Sequence, residues 1–149
     1  MNSAFEEETV VNLKLMTIFA RLGKSISNKV VPDIKKYGLT PNQFGVLEAL
    51  YNKGPLTVNE IIVKTLSSSG NIDLVIKNLE KMNLVMKRVS AEDKRCRKVE
   101  LTEKGWELIS TVFPEHVLCV DNMFSRMGLS EKKELSKLMK NLSKSIGEL

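Results

Sequence analysis

No stretch of this 149-residue chain approaches the ~18 consecutive apolar residues that a membrane-spanning helix needs. A membrane partner is therefore not expected. The opening turn, NSAFEEE, is acidic and no apolar segment follows it, so it does not read as a secretory leader. With only two cysteines and no export signal, a reducing cytoplasmic setting is expected, without a structural disulfide. Glycine patterns that cradle phosphates or dinucleotides are missing, as are a nucleophile elbow and a complete metal-ligand set. Enzymatic chemistry, a cofactor and a metal are thus not expected. Internal repeats and low-complexity segments are also missing.

What the chain does have is concentrated in one stretch, LVMKRVSAEDKRCRKVELTEKG, from Leu84 to Gly105. Two β-prone runs, Leu84 to Ser90 and Arg97 to Leu101, flank the turn Ala91-Glu92-Asp93 and predict a hairpin. Between Lys87 and Lys98, six cations face only Glu92 and Asp93, which leaves +4 of the chain's formal +5. A narrow basic hairpin suits a phosphate-lined groove, because each Lys or Arg that neutralises a phosphate releases a counterion. A solvated edge guarded by charge would look much the same. The sequence pI near 9.2 agrees with a polyanionic partner without naming one.

Two short helices are expected just upstream. Thr57 and Glu60 form a capping box with Leu56 and Ile61 as its staple, starting a helix from Val58 to Lys64. The polar run Ser67-Ser68-Ser69-Gly70 interrupts it, and Ser68 is a good N-cap for a second helix from Ser69 to about Met82. Ile72, Val75, Ile76 and Leu79 then repeat at spacings of three and four, predicting one buried face. The opposite face presents Ser69, Gly70, Asn71, Asp73, Leu74, Lys77 and Asn78. Helix, polar turn and helix make a helix-turn-helix, and the basic hairpin behind it adds a wing.

From Leu39 to Gly105 the chain resembles the MarR family of transcriptional regulators. The resemblance rests on LTPNQFGVLEAL, on LSSSGNIDLVIKNLEKMNLV, and on Asp93-Lys94-Arg95 followed by Val99-Glu100-Leu101-Thr102-Glu103-Lys104-Gly105. The D-x-R and L-T-x-x-G elements are the family's most specific signature. The resemblance implies a mainly α fold with a small β-hairpin wing (α+β), in which a winged helix-turn-helix domain joins a helical dimerisation domain. It implies an N-terminal dimerisation helix over 1–38, the DNA-binding domain over 39–103 and C-terminal dimerisation helices over 104–149. It also implies a homodimer on a pseudo-palindromic double-stranded DNA operator, usually a repressor released by a small molecule or by oxidation.

The apolar stripes at the two ends point the same way. A first helix from about Glu6 to Lys36 carries Val11, Leu15, Ile18, Leu22, Ile26 and Val30, with Pro32 expected to kink it or start a fresh turn. Thr40, Pro41 and Gln43 mark the next helix start, stapled by Leu39 and Phe44. Thr102 is expected to cap a long helix bent at Pro114 that carries Ile109, Val112, Phe113, Val117, Val120 and Phe124. Ser130 is expected to cap the last helix, with Leu135, Leu138, Leu142 and Ile146 on one face. An interface over Val11, Leu15, Ile18, Val120, Phe124, Leu135, Leu138 and Leu142 would bury these stripes between two copies.

DNA contacts are then expected from Ser68, Ser69, Gly70, Asn71, Asp73, Leu74 and Lys77 on the recognition helix. Asn71 suits an adenine edge, and the backbone N–H groups at Ser68 and Ser69 suit a phosphate. On the wing the resemblance places Arg95 in the minor groove, held by Asp93, while Lys87, Arg88, Lys94, Arg97 and Lys98 attract phosphates. Many relatives carry Thr and Arg where this chain has Asp73 and Leu74, so their operator sequences are not transferable to it. The family's redox-sensing branch has a cysteine early in the first helix, and none occurs from Met1 to Leu22. Cys96 among cations and Cys119 after Pro114 leave a thiol-based redox or quinone sensor open. Each also reads as an ordinary wing or buried residue. Glu115, His116 and Cys119 share a helix turn, yet ligands from one helix rarely complete a metal site. Phe19, Phe113 and Met123 are candidates for a pocket that takes a small aromatic or electrophilic effector, although such residues usually form core. A winged module that binds protein or RNA remains the other alternative.

Overall fold

The computed structural model describes residues 5–65, 69–89 and 97–147, with the backbone alone at Ser69 and Gly70. Six helices and three short strands follow in the order α1 (Glu7–Lys35), α2 (Pro41–Lys53), β1 (Leu56–Thr57), α3 (Val58–Thr65), α4 (Ser69–Lys81), β2 (Val85–Val89), β3 (Arg97–Leu101), α5 (Glu103–Met123) and α6 (Leu129–Ser145). Every helix expected from the sequence is present among the described residues. None is long and apolar enough to cross a membrane.

The starts of these helices follow local chemistry. At α2 the Thr40 hydroxyl accepts from the Gln43 N–H, and the Gln43 side chain accepts from the Thr40 N–H at 2.8 Å, with Pro41 in the first turn. Leu39 and Phe44 are buried beside this cap. At α3 the Glu60 carboxylate takes the Thr57 N–H at 2.7 Å and the Thr57 hydroxyl at 2.9 Å. One expectation is corrected: α6 is capped at Gly128, and Ser130 is its second residue. The Glu131 carboxylate accepts the Gly128 N–H at 2.7 Å, which satisfies the helix end without a hydroxyl. α1 runs on through Pro32 as one helix.

The sheet is larger than the expected hairpin. β3 lies between β1 and β2, antiparallel to both, with Val99 opposite Leu56 on one side and Lys87 on the other. β1 is only two residues long and doubles as the cap of α3, so its sequence carries no alternating pattern.

Leu47, Leu50, Ile61, Ile72, Ile76, Leu79, Leu84 and Val99 pack into one core, joined by Ile34 of α1 and by Ile109 and Val112 of α5. α5 therefore runs unbroken from the winged unit into the C-terminal arm. α6 has no buried residue. On α1, Val11, Leu15, Ile18 and Leu22 stand in the open, Ile18 with 56% of its surface exposed. A single copy leaves an apolar face uncovered along both arms.

The cap of α3 carries a pH signature. Its hydrogen bonds from the Thr57 backbone and hydroxyl, aided by the charges of Lys98 and Lys64, hold the Glu60 carboxyl below its usual range. A carboxyl lowered on folding stabilises the fold above its unfolded value near 4.5, and that contribution fades as pH falls through the lowered value. The gap in unfolding midpoint between wild type and Glu60→Gln is expected to hold near neutral pH and to close below about pH 4.5. Denaturation series across that range would show it; a gap independent of pH would remove the carboxylate from the cap.

Candidate nucleic-acid interface

α4 is two-faced. Ile72, Val75, Ile76 and Leu79 are buried against α2 and α3, which fixes the helix in rotation. Asn71, Asp73, Leu74 and Lys77 are exposed on the other side, and Asn78 is half-buried at its edge. Leu74 keeps 58% of its surface open. Four neighbouring side chains thus offer an amide, a carboxylate, an apolar tip and an ammonium. Ser68 lies outside the described residues, and Ser69 and Gly70 are described by their backbone alone.

α4 ends in a turn that sets the wing. Asn83 adopts a left-handed backbone, φ 58°, and the Leu84 N–H returns to the Leu79 carbonyl at 3.0 Å. The chain reverses there into β2. The Thr102 N–H donates to the Leu84 carbonyl at 3.1 Å, and the Thr102 hydroxyl donates to the Asn83 carbonyl at 2.7 Å. The same hydroxyl accepts the Gly105 N–H at 3.0 Å and so caps α5. Gly105 sits directly on the Leu84 backbone. One threonine therefore joins the end of α4, the base of the wing and the start of α5.

The wing cations divide into two groups. The Lys87 ammonium lies 3.4 Å from the Glu80 carboxylate, and Arg88 Nε lies 2.9 Å from Glu100 Oε1. Part of their charge is spent inside the protein. Arg97 is exposed at the turn end of the hairpin, opposite Val89, and Lys98 is half-buried with its charge near Glu60. Asp93, Lys94, Arg95 and Cys96 lie outside the described residues.

The expected effector residues do not meet in one place. Phe113 is turned inward against Tyr51, with ring centroids 5.6 Å apart, and Tyr51 in turn meets Trp106 at 4.8 Å. Phe19 is half-buried on α1. Met123 and Cys119 line a cavity of about 730 Å³ between α1 and α5, together with Lys29, Asp33, Glu115, Leu118 and Asn122. Of the expected interface, Val120 is half-buried, Phe124 and Leu135 line a second cavity, and Leu138 and Leu142 are exposed.

Sequence reasoning missed the ion pair at this junction. Lys36 Nζ sits 2.6 Å from Glu115 and 2.9 Å from Asp33, joining the end of α1 to the middle of α5. The Glu115 carboxyl is lowered by hydrogen bonds from Lys36 and Tyr37, and Lys36 is raised by its bonds to Glu115 and Asp33. The Tyr37 hydroxyl is raised in turn, chiefly by its bond to Glu115. These residues lie 79 positions apart, so no local pattern could have announced the pair. With Glu115 so engaged and the His116 ring 4.6 Å from that of Phe44, the Glu-His-Cys trio does not converge. Among the described residues no group of three metal-ligating side chains forms.

The family described as "Transcriptional regulator SarA/Rot" matches residues 29–112. An HTH-type transcriptional regulator of Bacillus subtilis (strain 168), YkoM, is 36% identical over 141 residues, covering 94% of this chain and 92% of its own. A second from the same strain, MhqR, is 34% identical over 134 residues, covering 90% and 92%. Among solved structures, AbsC, a MarR family transcriptional regulator from Streptomyces coelicolor, superposes with a TM-score of 0.79 at 22% identity. That match covers 97% of this chain and 98% of AbsC. The S. aureus MepR–DNA complex gives 0.77 at 20% identity, covering 87% and 96%. At these identities the two structures establish the fold alone.

Proposed function

Since the chain belongs to the SarA/Rot family of transcriptional regulators and carries the MarR-type winged helix-turn-helix fold, we propose that it is a homodimeric repressor bound to a pseudo-palindromic DNA operator. As a transcriptional regulator it is not an enzyme. The observation that carries the proposal is the orientation of α4, whose apolar face is locked in the core while Asn71, Asp73, Leu74 and Lys77 face outward. In this reading the winged unit, residues 39–103, holds DNA, and the arms over 1–38 and 104–149 join two copies.

Two copies related by a two-fold axis would set their α4 helices in successive major grooves, about one DNA turn apart. Asn71 and Leu74 then read base edges, the first by paired hydrogen bonds and the second against a thymine methyl. Lys77, Arg97 and the wing-tip cations fix the register on phosphates. In the S. aureus MepR structure a protein of this fold is found with DNA. An effector entering the cavity beside Cys119 and Met123 would lie against α1 and α5, next to the Lys36–Glu115 contact. A small aromatic ligand, or an electrophile alkylating Cys119, fits that position.

Selection of duplexes from a random pool, followed by footprinting, tests the proposal. A preferred site with two related half-sites is expected, each mismatch costing roughly 1–3 kcal/mol. Arg95→Ala is expected to weaken operator binding about tenfold or more in a gel-shift titration at fixed salt, with the dimer intact. Binding that shows no sequence preference, or that favours RNA or a protein over duplex DNA, would overturn the operator reading. Unchanged affinity in the Arg95 variant would remove only the wing.

A further inference from the structure

A second cavity, of about 600 Å³, opens at the elbow between α5 and α6. Phe124, Leu135 and Met139 give it apolar walls, and Lys132 and Lys140 stand along it. Among the described residues neither lysine makes an ion pair. α6 as a whole holds five lysines against two glutamates. One of those glutamates, Glu131, is occupied in the Gly128 cap.

The opposite composition occurs at the start of α1. Phe5 is 65% exposed and is followed directly by Glu6, Glu7 and Glu8, all exposed and without an ion pair among the described residues. α1 packs on α5 and α2 of its own subunit, with its one buried residue, Ile34, at the far end. A helix of 29 residues is about 43 Å long, so the acidic end stands well away from that anchor.

We propose that in the dimer Phe5 and the Glu6–Glu8 segment of each copy seat in the α5–α6 groove of the other. The phenyl ring enters between Phe124, Leu135 and Met139, and the carboxylates face Lys132 and Lys140. The proposal rests on the homodimer reading and specifies which segment closes it and by what force. Charge complementarity selects this occupant: the segment carries −3, and the groove presents unpaired ammonium groups. A two-fold axis makes the contact twice, so each charge pair counts double. Dimerisation is then salt-sensitive, unlike closure by the apolar stripes alone.

Sedimentation at graded concentrations tests this with two charge-reversed chains. One carries Glu6→Lys, Glu7→Lys and Glu8→Lys; the other carries Lys132→Glu and Lys140→Glu. All five positions are on helix surfaces, and circular dichroism would verify the fold of each. Each chain alone is expected to self-associate about tenfold or more weakly than wild type at low salt. The difference should shrink toward about 1 M salt, where screening acts within about 3 Å. Mixing the two chains is expected to restore affinity, because both contacts in the mixed dimer are again between opposite charges. A wild-type dimer unaffected by either reversal would overturn the groove assignment and leave the dimer standing. Weakening without rescue on mixing would overturn it too, as a contact within one subunit or a diffuse field. A wild-type chain monomeric at all concentrations would sink the homodimer itself.

Discussion

Gly105→Ala is expected to destabilise the fold by about 3 kcal/mol or more. A Cβ at this position would overlap the Leu84 carbonyl oxygen and stand 2.9 Å from its carbon and 3.3 Å from its Cα. These are backbone atoms, and the carbonyl is already held by the Thr102 N–H. No rotamer change can relieve the overlap; α5 must move off the end of α4 or the turn at Asn83 must open. Overpacking by added methyl groups typically costs about 1–3 kcal/mol. A clash against fixed backbone belongs at or above the top of that range, against a total stability of about 5–15 kcal/mol. Trp106, the chain's only tryptophan, is the next residue and reports directly on unfolding. Urea denaturation at one fixed protein concentration, since association shifts the midpoint, should show a large loss. A midpoint equal to wild type would mean that α5 does not sit on Leu84.

The second large effect is on DNA. Asn71 is exposed at the start of α4 and makes no hydrogen bond among the described residues, so Asn71→Ala should keep the wild-type unfolding midpoint. A side chain that pairs with a base edge gives about 1–3 kcal/mol of discrimination, and a homodimer meets the operator twice. The variant is therefore expected to lose about a hundredfold or more in affinity for a selected operator. Binding to a scrambled duplex, and the slope of affinity against salt, should hardly change, because an amide neutralises no phosphate. Titrations on both duplexes at several salt concentrations separate the cases. Equal loss on both sequences would make Asn71 a backbone contact and not a reader.

The signals that were legible in the sequence are those that act over a few residues. Thr40 with Gln43 and Thr57 with Glu60 announced two helix starts, and the hydrogen bonds are there. Ile72, Val75, Ile76 and Leu79 announced the buried face of α4 and, by difference, its exposed one. Where two local signals competed, the wrong one could be chosen. Ser130 looked like a cap, but the Glu131 carboxylate reached Gly128 first. β1 was hidden because Thr57 was already explained as a cap, and two residues carry no period. Gly105 was visible as part of a family signature, and only its contact with Leu84 supplies the physical reason. Phe113 was expected in a pocket because aromatic residues at helical spacing look alike in core and cavity; it lies against Tyr51.

The ion pair between Lys36 and Glu115 has a topological meaning. It brings together two points 79 residues apart and so gathers the chain at the neck of everything between them. The winged unit hangs from the arms as a pendant on a double stalk, its entry and exit side by side. In the proposed complex, the orientation of α4 over a double helix would be set partly at this neck.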